Sequence, residues 1–399
     1  MKKNRLLFSL ALLVTVAPAF AEPVSPPFTA SDPGLLSGQT WPAVAHLRDG
    51  GWVVTWEGGR DKLDAEVYQQ RYTASGVKVG IQTQVNSITT RSQGSSTIAG
   101  LADGGWLVAW ERSGQYGSNR GIFQQRYAAS GAKMGVETQV PTTTKSNQML
   151  PAVTALADGG WLVIWMSDGQ GGSGGIYQQR YAASGAKEGV ETQVNSYQTS
   201  SAVTALADGG WLVTWRKPSL DGPDGSAYQQ RYAASGAKVD AEAQVNTTAS
   251  VYQINPFATG LADGGWLVTW MSDGRNVSRY SAYQQRYAAS GAKVGIETEV
   301  STITTSDQIF PVVTALLDGG WVVTWMRMDD HDGSGSGVYQ QRYAASGAKS
   351  GNETQVNTSS REGIPAVTAL VDGGWVVTWN SGSGIYQQRY DAVGNPVGK

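Results

Sequence analysis

Cysteine is absent from this chain of 399 residues, and histidine occurs only twice, as His46 and His331. Without cysteine there is no disulfide framework and no lipid-bearing cysteine to anchor the chain, so packing has to stabilise the fold. Two histidines leave few possible bases for a Ser-His-Asp triad and argue against a zinc site built from histidine and cysteine. A periodicity of 3.6 residues is also absent, which excludes an array of helical repeats.

The N-terminus carries the pattern of an export signal. Three basic residues stand among the first five, an apolar run covers residues 6–16, and Ala-Phe-Ala at 19–21 offers a cleavage site. We predict a Sec-type signal peptide at 1–21, too short to span a membrane, and a secreted or periplasmic mature chain of residues 22–399 without membrane insertion. In that mature chain 27 basic and 32 acidic side chains remain. This net charge of −5 argues against nucleic acid or an anionic membrane as the main partner.

One phrase organises the sequence: Asp-Gly-Gly-Trp, a hydrophobic residue, Val, any residue and Trp. Its copies are 50 to 55 residues apart, a period typical of solenoid and propeller arrays. Asp-Gly is a favoured type I′ turn pair, and the alternation of Trp52, Val54 and Trp56 has the period of a strand, so each copy predicts a β-hairpin. The copies begin at Asp49, Asp103, Asp158, Asp208, Asp263, Asp318 and Asp372.

Each repeat contains four strand-like runs, which in the third repeat cover residues 151–156, 161–165, 176–181 and 191–195. Residues 22–399 make up seven units of about 54 residues. Four antiparallel strands per unit, repeated seven times, predict an all-β fold with one domain, a seven-bladed β-propeller. The last unit ends soon after its third strand, so we expect an N-terminal strand around residues 22–25 to pair into that blade and close the ring.

Two sets of side chains recur in every repeat. The paired tryptophans of the second strand and the Tyr-Gln-Gln-Arg-Tyr run of the third, in which Phe123 replaces one tyrosine, favour a core between blades over a ring of sugar-stacking platforms. One arginine and one turn aspartate also occur per repeat. We expect each such pair, for example Arg231 with Asp208, to form a buried salt bridge. A sugar-binding arginine between blades is the alternative.

What differs between repeats is expected to carry specificity. The connections from second to third strand and from fourth to next first strand vary, and both emerge on one side of the disc. A glutamine recurs there three residues before the first strand. In four repeats an apolar residue stands directly before the strand, and we expect the proline that follows it to hold it extended. We predict that these residues, together with loop aromatics that fall outside the repeat pattern, bind a ligand at the channel mouth. Alternatively, the glutamine amides bond to loop backbone. The candidates are Gln39, Trp41, Gln93, Tyr116, Gln148, Tyr197, Gln198, Tyr252, Gln253, Tyr280, Gln308, Phe310 and Glu362.

Acidic loops bear on metal binding and catalysis. The loop with Asp329, Asp330 and Asp332 could ligate calcium through oxygen, although it does not match an EF-hand loop, and the sequence indicates no other cofactor. We assign no catalytic residue. Paired carboxylates of a glycoside hydrolase, whose separation the sequence does not fix, could come from Glu57, Asp61, Asp64, Glu66 or Glu111.

The motifs resemble a known repeat family. Asp-Gly-Gly-Trp-Leu-Val-Thr-Trp, Gly-x-Tyr-Gln-Gln-Arg-Tyr-x-Ala-x-Gly, Glu-Thr-Gln-Val-Asn-Thr and Gln-x-x-Pro-x-Val are similar to tandem repeats of large secreted bacterial proteins. Those repeats often accompany RTX-type calcium-binding or adhesin modules. The resemblance covers nearly all of the mature chain and implies extracellular recognition with no established reaction. RTX nonapeptides are absent here, and only Asp391 retains the aspartate that those repeats carry after the second tyrosine.

Two classes of function follow from these patterns. The near-equivalence of the blades and the scarcity of catalytic groups favour a secreted, non-enzymatic, lectin- or adhesin-like protein. We expect it to be a monomer that recognises an extracellular glycan or protein. The alternative is a propeller glycoside hydrolase or polysaccharide lyase, which would need acids of individual blades to converge on the axis.

Overall fold

The computed structural model describes residues 28–31, 37–59, 65–114, 120–143, 145–169, 174–197, 199–218, 225–247, 252–273, 280–303, 305–328, 336–357, 363–382 and 384–398. These residues form 29 β-strands and no helix. Within the same ranges there is accordingly no helix with the length and apolarity needed to cross a membrane. The predicted signal peptide, residues 1–21, lies outside them.

The strands form the seven four-stranded antiparallel blades of a β-propeller, which confirms the predicted fold; a short strand, β1 (Phe28–Thr29), precedes the first blade. Blades 1 to 4 consist of β2 (Ser37–His46), β3 (Trp52–Gly59), β4 (Glu66–Tyr72), β5 (Lys78–Gln84); β6 (Gln93–Gly100), β7 (Trp106–Arg112), β8 (Gly121–Tyr127), β9 (Lys133–Gln139); β10 (Gln148–Ala155), β11 (Trp161–Ser167), β12 (Gly175–Tyr181), β13 (Lys187–Asn195); and β14 (Ser201–Ala205), β15 (Trp211–Pro218), β16 (Gly225–Tyr232), β17 (Lys238–Gln244). Blades 5 to 7 consist of β18 (Gln253–Gly260), β19 (Trp266–Asp273), β20 (Tyr280–Tyr287), β21 (Lys293–Glu299); β22 (Asp307–Ala315), β23 (Trp321–Met328), β24 (Gly337–Tyr343), β25 (Lys349–Gln355); and β26 (Pro365–Ala369), β27 (Trp375–Ser381), β28 (Gly384–Tyr390), β29 (Pro396–Val397).

Each blade is a meander that runs from the axis to the rim in chain order, as in β2-β3-β4-β5. The first strands of neighbouring blades contact one another, and β26 of blade 7 contacts β2 of blade 1. The ring is therefore closed around an axial channel. Because the strands alternate in direction, the two variable kinds of loop share one end of that channel.

The Asp-Gly-Gly turn joins the first two strands of each blade. In blade 1, Gly50 N donates to Leu47 O (3.0 Å), Gly50 has a φ of 85°, and Gly51 N donates to Asp49 Oδ1 (2.9 Å). The two central residues keep negative φ, so the predicted type I′ turn is wrong; it is a type I turn followed by a left-handed glycine. The second glycine is required for a steric reason, since a Cβ on Gly51 would lie 2.2 Å from Tyr72 O.

The repeated tryptophans form the interfaces between blades, which confirms their interpretation as core. Trp52 is fully buried and stacks on Tyr72, with ring centroids 5.4 Å apart. Its Nε1 donates to Gln387 Oε1 of blade 7 (2.8 Å), and Trp106 Nε1 donates to Gln69 Oε1 of blade 1 (2.9 Å). The same bond recurs at every junction round the ring. The first glutamine of each Gln-Gln pair thus holds the next blade in place.

Each blade also contains the predicted arginine–aspartate pair. Arg231 Nη2 lies 2.6 Å from Asp208 Oδ2, and Arg231 Nη1 donates to Ala289 O of the next blade (2.9 Å). The Arg231 guanidinium also lies 5.5 Å from the ring centroid of Trp266. The pairing is confirmed, but the predicted burial is wrong, because the aspartates stand at turn tips and are 43% to 51% exposed.

Two short strands share the rim position of blade 7. Strand β1 pairs with the middle of β28, and β29 pairs with its end. Closure by an N-terminal strand is confirmed at β1, while the predicted segment 22–25 lies outside the described residues. The last repeat also supplies part of its own fourth strand, contrary to expectation. Ala30 is fully buried after β1, and its carbonyl accepts the Tyr72 hydroxyl of blade 1 (2.7 Å).

Candidate functional site

Most innermost strands carry a β-bulge at the end where the variable loops emerge. In blade 1, Thr40 pairs with Glu57 and Ala43 pairs with Thr55, so β2 holds one extra residue. The same shift occurs in blades 2, 3, 5 and 6. The residue inside the bulge lines a cavity on the propeller axis.

The backbone at the bulge is left-handed. Trp41 has a φ of 52°, Leu150 of 50° and Phe310 of 53°, a region that bulky side chains rarely adopt. The prediction that the following proline holds these residues extended is therefore wrong, because the residue inserted at the bulge takes a left-handed φ. Ser95 and Asn255 share the conformation. Strain of this kind costs on the order of 1–3 kcal/mol per residue and concentrates at functional sites.

Two acidic side chains hold this backbone from neighbouring blades. Glu57 accepts the N–H of Ser95, and Glu111 accepts the N–H of Leu150 (3.3 Å). Burial raises the pKa of Glu57 to about 7, and the charge of Glu111 adds to the rise. The hydrogen bond from the Ser95 N–H acts in the opposite direction and lowers this pKa. Burial also raises the pKa of Glu111, against its ion pair with Arg120 (2.7 Å). The mouth thus has two carboxyl groups inside its wall.

The cavity on the axis has a volume of about 470 Å³. Trp41 is 48% exposed and meets Phe310 edge-on, with ring centroids 6.2 Å apart. Leu150 and Phe257 are 41% and 39% exposed. The cavity therefore presents aromatic and aliphatic faces to solvent. Every blade contributes one residue at the same position, namely Trp41, Ser95, Leu150, Ser200, Asn255, Phe310 and Ile364.

The structure corrects the role predicted for the glutamine ring, the glutamines that recur three residues before the predicted first strand of the repeats. Gln93 Oε1 accepts the Trp110 Nε1–H (2.8 Å), and Gln308 Nε2 donates to Ile303 O (2.6 Å). These amides bond to groups of the protein and do not line the cavity, as the alternative interpretation expects. The five described members are all fully buried: Gln39, Gln93, Gln148, Gln253 and Gln308. Two members lie outside the described residues, Gln198 and Glu362.

The loop tyrosines are not gathered around the cavity either. The Arg216 guanidinium lies 3.9 Å from the ring centroid of Tyr252, and Lys217 Nζ lies 5.1 Å from that of Tyr197. Neither tyrosine lines the cavity, and neither does the half-buried Tyr280. The rings of Tyr252 and Tyr197 lie instead against cationic side chains of β15.

The predicted calcium loop is not among the described residues. In the ranges that the structure describes, no three His, Cys, Asp or Glu side chains form a group that could hold a metal ion. Of the candidate carboxylates, Glu66 is buried and accepts the Asn86 side-chain amide. Six further candidates from the sequence lie outside the described residues: Asp61, Asp64, Tyr116, Asp329, Asp330 and Asp332.

The sequence pattern points to four lining residues, of which Trp41 and Phe310 are named as candidates, and it misses Asn255 and Phe257. A signal for them exists in the sequence. Asn255 stands before a proline, as Trp41 and Phe310 do, and Phe257 stands directly after it. Position within the repeat therefore identifies the lining more reliably than side-chain type.

No protein-family model and no curated protein matches the sequence, so the resemblance to adhesin-associated repeats stays a prediction. Solved structures match over most of the chain at low identity. An ulvan lyase is 10% identical with a TM-score of 0.60, over 91% of this chain and 95% of its own. An α-L-arabinanase from Penicillium chrysogenum is 13% identical with a TM-score of 0.51, over 92% and 98%. An α-L-arabinofuranosidase from Fusarium graminearum is 11% identical with a TM-score of 0.53, over 81% and 97%. At these identities the likeness establishes the propeller fold alone.

Proposed function

We propose that this propeller is a carbohydrate-binding protein that holds an extracellular glycan in its axial cavity without cleaving it. The observation that carries the proposal is the pair of aromatic rings, Trp41 and Phe310, at the mouth of a cavity of about 470 Å³. That volume falls within the ~300–1,000 Å³ typical of small-molecule sites. The predicted signal peptide would deliver the chain to the periplasm or the medium, where it would meet such a ligand.

Both the cavity surface and the fold comparisons support a glycan. An aromatic face suits the C–H side of a sugar ring, and the left-handed backbone at Trp41 and Phe310 holds both rings at the mouth. Among the propellers of similar fold, the ulvan lyase was solved with a bound saccharide and the arabinanase with arabinobiose. A glycan is therefore the ligand class on which the two lines of argument agree.

The geometry favours binding over catalysis. Glycoside hydrolysis uses two carboxyl groups that face the scissile bond, about 5–9.5 Å apart. The two carboxylates at the mouth, the partly buried Glu57 and the buried Glu111, instead accept backbone N–H groups of the wall. Neither lines the cavity, so neither is placed to protonate a glycosidic oxygen there.

A glycan array tests the proposal with the chain that lacks its predicted signal peptide and with the double variant Trp41→Ala/Phe310→Ala. Trp41 is 48% exposed, so a sugar that covers it removes on the order of 100 Å² from water, about 2.5 kcal/mol at ~25 cal/mol per Å². We expect the double variant to bind at least about tenfold more weakly. Its melting temperature should stay at the wild-type value, since both rings are partly exposed.

Leu317→Ala is the matched control. Leu317 is an apolar residue that is 67% exposed in a turn at the opposite end of its blade, so its loss should leave binding unchanged. Undiminished binding by the double variant would place the ligand elsewhere and contradict the proposal. New reducing ends or unsaturated products from a bound glycan would identify an enzyme instead.

A further inference from the structure

The chemistry of the cavity wall restricts the ligand further. We infer that the part of the glycan that enters the axial cavity is uncharged: a neutral sugar residue with a C–H face, and not one that bears a carboxylate or a sulfate. The inference rests on the proposed function and narrows the class of ligand that this function implies.

The described residues that line the cavity include no charged side chain. Its most exposed members are apolar: Trp41, Leu150 and Phe257. An anionic group that entered would lose hydration without gaining a counter-ion, and an unpaired charge in apolar surroundings is costly. A sugar that enters with its C–H face loses little hydration and covers apolar surface.

Backbone N–H groups at the mouth are directed into the wall. Successive N–H groups in left-handed turns often bind anions. Here the N–H of Ser95 donates to Glu57, and that of Ile364 donates to Asn380 Oδ1 (2.9 Å). The N–H of Leu150 follows the same pattern with an acid of blade 2. The donors that could have held a carboxylate or sulfate at these three blades are engaged by the protein itself.

Other polar atoms of the wall bond within the protein in the same way. The Thr214 hydroxyl donates to Pro256 O (2.9 Å), and Ser200 Oγ donates to Asn255 Oδ1 (3.0 Å). These bonds engage the oxygen atoms within the protein, and the most exposed side chains of the wall are apolar. The wall therefore matches an apolar face better than a charged group.

Two carboxyl groups behind the wall oppose an anion further. Glu57 and Glu111 lie close enough for the charge of one to act on the other, and Arg120, the partner of Glu111, is 51% exposed to water. Glu57 is held by the Ser95 backbone of the cavity lining. Above a pH of about 7, where the Glu57 carboxyl is ionised, an anion on the axis would thus meet charge of its own sign on the side of blades 1 and 2.

Pairs of related glycans that differ in charge test the inference. One pair is oligogalacturonate with its carboxylates free or methyl-esterified; another is xylo-oligosaccharide with or without glucuronyl branches; neutral chito- and galacto-oligosaccharides accompany them. We expect the chain to select neutral members and, within a pair, to bind the neutral one at least about tenfold more tightly, or about 1.4 kcal/mol. Equal or stronger binding of the charged members overturns the inference and leaves the proposed function standing. Failure to bind any glycan counts against both.

Two variants test the part that the carboxylates play. At about pH 8, above the Glu57 pKa of about 7, Glu57→Gln removes a negative charge but keeps an acceptor for the Ser95 N–H, so the preference for the neutral glycan should fall roughly threefold. Asn380→Asp places a carboxylate at the equivalent point of blade 7, so the preference should rise. Melting curves show which of the two variants is folded, and one folded variant is enough to test the contribution of the carboxylates. A neutral-to-anionic ratio that stays at the wild-type value contradicts the contribution of the carboxylates.

Discussion

Glu57 gives a quantitative test of the cavity wall. Burial at the end of β3 raises the pKa of its carboxyl group from an ordinary 4.5 to about 7; the Ser95 N–H opposes this rise and the charge of Glu111 adds to it. In the unfolded chain the pKa returns to its ordinary value. Between these two values the folded chain keeps a proton that the unfolded chain has released.

The free energy of unfolding should therefore fall as the pH rises from about 4.5 to about 7. The two pKa values are 2.5 pH units apart, and each unit is worth about 1.4 kcal/mol, so the whole effect is at most about 3–4 kcal/mol. Water that reaches the partly buried side chain reduces it. The stabilising contribution is complete below pH 4.5 and lost above pH 7.

Glu57→Gln removes the titration and keeps the hydrogen-bond acceptor. We expect its free energy of unfolding to fall less with rising pH than that of the wild type, by ~2–3 kcal/mol between pH 4.5 and 8. Urea unfolding at a series of pH values, followed by tryptophan fluorescence, measures the difference. Asn380→Asp is the matched reverse variant, since it puts a carboxyl group against the Ile364 N–H and should add a fall over the same range.

Parallel pH profiles of wild type and Glu57→Gln would refute the reasoning, since Glu57 would then titrate alike in the folded and unfolded chains. A steeper fall in the variant would also refute it. That result would mean that the folded chain lowers the pKa of Glu57, as an ion pair with a cation does.

Deleting residues 28–31 removes β1 from blade 7, and we expect the melting temperature to fall by more than about 5 °C; an unchanged melting curve would contradict the shared rim strand. Arg231→Ala should cost about 1 kcal/mol, since Asp208 is 45% exposed and water screens the pair. A loss of about 3 kcal/mol or more in urea unfolding would instead indicate a buried pair. Gln308→Ala should lower the free energy of unfolding by about 1–3 kcal/mol, since its buried amide bonds to the backbone of β20 and of a loop. Loss of glycan binding at full stability would restore the predicted role of the glutamine ring.

The architecture follows from the amino-acid order, because the features that define it are local and periodic. A spacing of 50 to 55 residues between tryptophan pairs counts the blades, and the alternation of Trp52, Val54 and Trp56 marks a strand. One arginine and one aspartate per repeat predict one pair per blade. The turn type is less well defined, since an Asp-Gly pair does not specify which residues occupy the centre of the turn.

Which side chains reach the axis depends instead on contacts between blades. A period of two assigns the faces of a strand, but one extra residue in β2 exchanges the faces of everything that precedes it. Gln39, predicted at the channel mouth, is fully buried, whereas Trp41 is 48% exposed. In blade 2 the bulge is held from outside its own repeat, by the carboxylate that Glu57 of blade 1 offers to the Ser95 N–H. This interaction between two blades leaves no mark in the pattern of either repeat, so the contact that holds the bulge, unlike the repeat position of the lining residues, is visible only in the closed ring.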